Sequence, residues 1–190
     1  MRPEAGAPRR LRLVPLALPD GTGAEQLAER ISRRVALPCV LDAHGPLPQL
    51  PELRGRDQLD ARPLLDWLAA GLGPRELALG LTGRDLGLPI FSHVFGLAQD
   101  GGTAAVVSLA RLDPAFEGLP PDPEQLLVRA LGVAVHELGH LAGLKHCPEA
   151  QCLMRFAGTV EKADARGQAF CPACHARLPA WLKPAGLAAL

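Results

Sequence analysis

His136-Glu137-Leu138-Gly139-His140-Leu141-Ala142-Gly143-Leu144-Lys145-His146 is the stretch on which the reading of this chain turns. It has the form HExxHxxGxxH. Histidines four apart on a helix share one face, a turn apart, so His136 and His140 can grip a single zinc. Glu137 lies at the rim of that face, where its carboxylate reaches a metal-activated water and not the metal. Gly143 can take a left-handed backbone and stop the helix sharply, so that the turned chain returns His146 as a third ligand. Three protein ligands leave a fourth position open, the pattern of a catalytic zinc site and not of a structural one. HExxH alone is a weak signal. Requiring Gly143 and His146 as well lowers the chance of coincidence by more than about two orders of magnitude. The bland alternative is a buried helix that happens to carry satisfied histidines.

Cysteines follow at once. Cys147 and Cys152 flank a short loop, and Cys171-Pro172-Ala173-Cys174 is a CxxC. Two close pairs separated by a loop are the usual layout of a four-cysteine structural zinc site. Two disulfides, a redox CxxC and an iron–sulfur cluster are the alternatives that the residue types also permit. His175 directly follows Cys174 and could replace a cysteine in such a site. Cys39, in the apolar run Leu37 to Leu41, reads as an inert buried thiol. Met154, two residues after Cys152, is a candidate for a turn beneath the metal, or a core methionine.

These residues together resemble the archaemetzincins, a branch of the metzincin zinc metallopeptidases. In that family HExxHxxGxxH runs directly into CxxxxC, then x-Met, then a spacer and CxxC. Here the series is His136, Glu137, His140, Gly143, His146, Cys147, Cys152, Met154, Cys171, Cys174. The spacer after Met154 is one residue shorter than the family's usual one, which a surface loop absorbs. Upstream, Leu81 to Leu86 looks like the family's strand-and-turn segment, and His93 to Ala98 with Ala105 to Leu112 like its edge strand and the next one. The resemblance implies an α+β, metzincin-like zincin catalytic domain: a mixed twisted sheet of about five strands backed by helices. It implies two zinc ions, a catalytic one on His136, His140 and His146 and a structural one on Cys147, Cys152, Cys171 and Cys174, with Met154 in the methionine turn. One family trait is missing. Many metzincins carry a tyrosine near that turn, and this chain has none.

Composition sets outer bounds. A chain of 190 residues, 48% hydrophobic, is long enough to bury a core as one domain. We divide it at the end of the motif, into a subdomain over 9–146 with the active-site helix and a small zinc-knit one over 147–190. Twenty basic and twenty acidic side chains cancel. The chain therefore lacks the field that draws nucleic acid or anionic membranes. The cluster Arg9, Arg10, Arg12 is too short to change this and reads as the solvated end of a strand. The run Leu11 to Leu18 is interrupted by Arg12 and Pro15 and is followed by no small-residue cleavage site, so it is no convincing signal peptide. A cytoplasmic location, with reduced thiols, is the expectation, and it favours zinc over disulfides. The first eight or so residues read as a frayed end.

Along the chain, strands are predicted over 10–18, 38–43, 77–82, 92–98 and 104–109, and helices over 22–35, about 60–70, 122–142 and 171–183. His44 to Leu59 reads as a loop and Asp113 to Pro123 as a proline-rich linker. Asp122 is a plausible N-cap with Pro123 first in the helix and Gln125 completing a capping-box-like pair. The helix that follows is apolar almost all round, hence central and buried. By resemblance, Ser92 to Ala98 is the antiparallel edge beside the cleft, where an extended peptide can add as a strand. An ordinary edge strand is the alternative. His93 is placed to face substrate there, whereas His44 reads as a surface residue.

The expected activity is hydrolysis of peptide bonds in a peptide or protein substrate, by zinc-activated water with Glu137 as general base. The rivals are a non-catalytic zinc-containing peptide-binding module, for which the missing tyrosine speaks mildly, and a zinc hydrolase of a non-peptide amide. Oligomeric state is not legible.

Overall fold

Alternation of apolar side chains along short strands sorts this chain into layers. The computed structural model describes residues 10–19 and 21–183. Arg9 and the first residues therefore lie outside the described residues. In chain order the elements are β1 (Arg10–Leu16), α1 (Ala24–Arg34), β2 (Cys39–Leu41), β3 (Leu59–Asp60), α2 (Ala61–Ala70), β4 (Glu76–Thr82), β5 (Leu86–Leu88), β6 (Phe91–Val94), β7 (Gly96–Ala98), β8 (Ala104–Ser108), α3 (Pro123–Leu141), α4 (Val160–Ala165) and α5 (Pro172–Ala176). Single 3-10 turns fill Ala110–Leu112, Pro114–Glu117 and Ala180–Leu182.

The main sheet has five strands in the order β2-β1-β4-β8-β7. The first four are parallel, and β7 closes the edge antiparallel to β8, with Gly96 opposite Val107 and Ala98 opposite Ala105. Parallel strands need both faces covered. Successive residues of β4 accordingly divide between two cores. Leu77, Leu79 and Leu81 face α1 and α3, whereas Ala78 joins Leu64, Leu65 and Leu68 of α2. Gly80 is where α2 comes closest: a Cβ there would lie 2.7 Å from Leu68 Cδ1. A smaller sheet, β3-β5-β6, lies with the α2 side.

The mixed sheet backed by helices is as expected, and four details differ. The strand predicted over 92–98 is two strands. It breaks at Phe95, which is buried in the main core, so that β6 pairs with β5 in the small sheet while β7 pairs with β8. Alternation carries no information about which neighbour a strand will choose. The helix predicted over 171–183 stops after Ala176, and Pro179, which has no N–H to give a helix, precedes a separate turn. β5 begins at Leu86, the last residue of the segment likened to a strand and turn, and is not among the predicted strands. The arginines at the start of β1 are not merely solvated: Arg10 pairs with Glu76, and Arg12 with Asp42 and Glu76.

α3 follows its local signals. Asp122 Oδ1 accepts from the Gln125 N–H at 2.9 Å, and Pro123 occupies the first turn. Its first half is amphipathic, with Val128 and Arg129 partly outward. The stretch from Gly132 to Gly139 is continuously buried between sheet and C-terminal segment. Burial of that half immobilises the residues that matter.

Candidate active site

The end of α3 sets the geometry. Gly143 has φ 83, and the Leu144 N–H donates to Gly139 O while the Gly143 N–H donates to His140 O, both at 2.9 Å. This is the Schellman pattern, in which a left-handed residue reverses the chain. The reversal places the His146 ring 4.9 Å from that of His140 and 5.4 Å from that of His136. One ligand atom from each of the three histidines falls within 4.8 Å of the others.

The outer nitrogens are used. His136 Nδ1 donates to Leu153 O at 2.7 Å and His140 Nδ1 to Leu144 O at 2.8 Å. Each bond fixes the tautomer and leaves Nε2 bare and inward. The two Nε2 atoms are 3.2 Å apart. Tetrahedral zinc with ordinary zinc–nitrogen distances asks for about 3.3 Å, so the residues fit that ion. Burial, reinforced by the charge of Arg166, pushes His136 down to about 3. His140 and His146 are also lowered, chiefly by burial. All three imidazoles are thus held neutral, the form that binds metal.

Glu137 is 6% exposed and looks into the same cleft, beside the histidines. Its side chain rests on β7. A Cβ built on Gly96 would lie 2.7 Å from Glu137 Oε1 and 2.9 Å from Val106 O, so only glycine leaves room for the carboxylate. Burial raises its carboxyl to about 8, with the charge of Arg166 pulling the other way.

Met154 is fully buried and meets α3 from below: a Cβ on Gly139 would come 2.5 Å from its sulfur. Met154 O accepts from the Cys147 N–H at 2.9 Å. The four cysteines Cys147, Cys152, Cys171 and Cys174 converge, and His175 is not part of the cluster. All five cysteines are free thiols. The Cys147 and Cys171 sulfurs lie 3.9 Å apart, far beyond a bonded pair and close to the ~3.8 Å edge of a tetrahedral zinc–thiolate site. Burial raises the Cys152 thiol, whereas the Cys174 N–H helps lower Cys171. Cys39 is half-buried against the core, and burial pushes it up to about 11, as suits an inert thiol.

Of the other histidines, His93 does line the cleft, 5.2 Å from the Phe95 ring. Four contributors had no distinct mark in the sequence: the Leu153 carbonyl, Gly96, Phe156, whose ring lies 5.2 Å from that of His146, and Arg166, which is 8% exposed at the cleft wall. Arg166 stands in a polar stretch with no periodicity, and only tertiary contact reveals it.

A sheet edge beside a histidine-bearing helix, reversed by glycine over a buried methionine, defines a metzincin-type zinc peptidase. Residues 73–180 match the model of peptidase family M54. The chain is 38% identical over 162 residues to the archaemetzincin of Methanopyrus kandleri, covering 85% of this chain and 89% of that protein. It is 41% identical over 126 residues to that of Pyrococcus horikoshii, covering 65% and 66%. The crystal structure of the Methanopyrus kandleri archaemetzincin superposes with a TM-score of 0.75 at 35% identity, over 92% of this chain and 94% of that one. A zinc-dependent peptidase from Methanocorpusculum labreanum gives 0.79 at 27% identity, over 89% and 100%. The chain belongs to peptidase family M54, the archaemetzincins, and is a zinc metallopeptidase.

Proposed function

We propose that this chain hydrolyses peptide bonds with zinc held by His136, His140 and His146 and with Glu137 as general base. The observation that carries this is the convergence of three neutral imidazoles beside a buried carboxyl in an open cleft. When bound, zinc supplies a Lewis acid and brings the pKa of a water toward ~7. Glu137, seated against Gly96, would accept a proton from the attacking water and deliver it to the leaving amine. A carboxyl with a raised affinity for protons is suited to holding one between those events. His136 and His140 keep their orientation through the Leu153 and Leu144 carbonyls. Met154 floors the site as the methionine turn.

Cys147, Cys152, Cys171 and Cys174 hold a second zinc, structural because four thiolates close its coordination. We read the chain as one domain, with 9–146 and 147–190 as its subdomains. Cys152, Met154, Val160 and Leu178 belong to the same core as β1 and α1, which supports their folding together. Among the described residues no helix is long and apolar enough to cross a membrane. Free thiols at a zinc site suit the reducing cytoplasm, where we place the protein. Zero net charge speaks against a nucleic-acid partner.

The test is cleavage of a diverse peptide mixture, followed by mass spectrometry, with zinc content measured on each sample. Glu137→Ala is expected to keep zinc and lose turnover by a factor on the order of a hundred or more. Replacing His140 is expected to cost both metal and activity. Normal cleavage by Glu137→Ala would overturn the assignment.

A further inference from the structure

Arg166 is a buried cation without an ion pair: Glu137 acts on it only through its field, from beyond contact distance. Arg129, comparably buried, is held by Asp164 at 2.7 Å. Arg166 is 8% exposed, yet no carboxylate among the described residues lies within the 4.0 Å of an ion pair. Its two close contacts both run through Nη1, to Arg155 O at 3.3 Å and to His136 Nδ1 at 3.1 Å. The second is no hydrogen bond, because the proton on His136 Nδ1 already goes to Leu153 O. The protein thus gives the guanidinium one carbonyl and no directly paired carboxylate. No buried side-chain polar atom is left unsatisfied among the described residues, so an Arg166 N–H that makes no bond within the protein keeps some exposure, and Arg166 is one of the residues that line the cleft. A desolvated charge without a partner is costly, and an arginine fork facing a cavity is shaped for a carboxylate.

Its position says which carboxylate. The guanidinium lies behind His136, at the ring edge turned away from the bare Nε2. It is also a turn back along α3 from His136, where a Cβ on Gly132 would sit 3.9 Å from its Nη2. From there it cannot touch an oxygen at the metal, so it is no substitute for the missing tyrosine. It can meet a group that a bound peptide extends past the metal. Val133, Gly158 and Ala163 line the same cleft, apolar or small, with room for the methylenes of such a side chain.

We propose that Arg166 is a specificity residue that selects peptides presenting a carboxylate, an Asp or Glu side chain or the chain's own C-terminus, beside the bond to be cut. This rests on the peptidase reading above. The test uses alanine heptapeptides carrying one Glu at each interior position in turn, each paired with its Gln isostere, with free and with amidated C-termini. Binding to zinc-loaded wild type, Arg166→Gln and Arg166→Lys is measured by calorimetry, and cleavage by mass spectrometry. At one position Glu is expected to bind on the order of ten- to a hundred-fold more tightly than Gln, the range of a charge-assisted hydrogen bond. Arg166→Gln is expected to abolish the difference. Arg166→Lys keeps the charge without the fork, retains only part of it, and serves where Gln prevents folding. A gain that follows the free C-terminus instead identifies the terminal carboxylate as the recognised group. Equal binding of Glu, Gln and amidated peptides to wild type, or a preference unchanged in the Arg166 variants, overturns the proposal. A peptide bound with this preference but never cut counts against the peptidase reading and leaves the role of Arg166 standing.

Discussion

Burial makes Glu137 and His136 respond to pH in opposite senses. The Glu137 carboxyl rises from 4.5 to about 8 in the folded, metal-free site. Between those values the folded state binds more protons than the unfolded one, so stability falls as pH rises through the window. His136 falls from 6.5 to about 3. There the unfolded state binds more protons, and stability is lost as pH drops from 6.5 toward 3. In a His140→Ala background, which leaves the catalytic site empty, adding Glu137→Gln removes the first effect alone. The double variant is expected to match its parent near pH 4.5 and to exceed it by roughly a few kcal/mol near pH 8. Urea denaturation across that range measures it, and curves that stay parallel would contradict the burial argument. The convergence of the three histidines was legible in the sequence because their spacing is local: four residues set a helical turn and a glycine sets its end. Arg166 was not, because it acts on a residue thirty positions earlier.

In the proposed mechanism the edge strand β7 matters through what it lacks. Gly96 leaves the volume that the Glu137 side chain fills, and the Val106 carbonyl on its other side cannot retreat without breaking the sheet. Gly96→Ala is therefore expected to displace the carboxylate and lower kcat by about tenfold or more, since small misplacements of a catalytic group are expensive. Zinc content is expected to be unchanged, because the clash falls on Glu137, which is not a proposed ligand. Metal analysis and steady-state kinetics on one preparation check both halves, and a variant that loses zinc instead would relocate the defect to α3. Strands β4 and β8 were readable because apolar runs mark a sheet buried on both faces, and β1 because its buried leucines alternate with outward residues. The division of 91–98 between two sheets was not, since Phe95 carries no Gly or Pro signal and the partners of β6 and β7 are chosen by packing. Pro179 did announce the end of the last helix, and apolar residues beyond it masked the signal.

Across the molecule the two clusters of proposed ligands are mechanically one. His146 and Cys147 are consecutive. Cys152 is followed by Leu153, whose carbonyl orients His136, and by Met154, whose carbonyl holds the Cys147 N–H. Removing the second metal should loosen the first. Cys174→Ser is expected to lower thermal stability and also to weaken zinc at the histidines by roughly ten- to a hundredfold, the usual effect of disturbing outer-shell support. Competition with a graded series of chelators reads that affinity, and an unaltered value in a folded variant would show the clusters to be independent. Every proposed ligand, from His136 to Cys174, falls after the last strand of the main sheet has been laid down. During biosynthesis all five strands of the main sheet are thus complete in sequence before His136, the first proposed ligand, leaves the ribosome. Metal capture is then a finishing step on a nearly assembled body, and a cell short of zinc would accumulate well-formed sheets with an unfastened final segment.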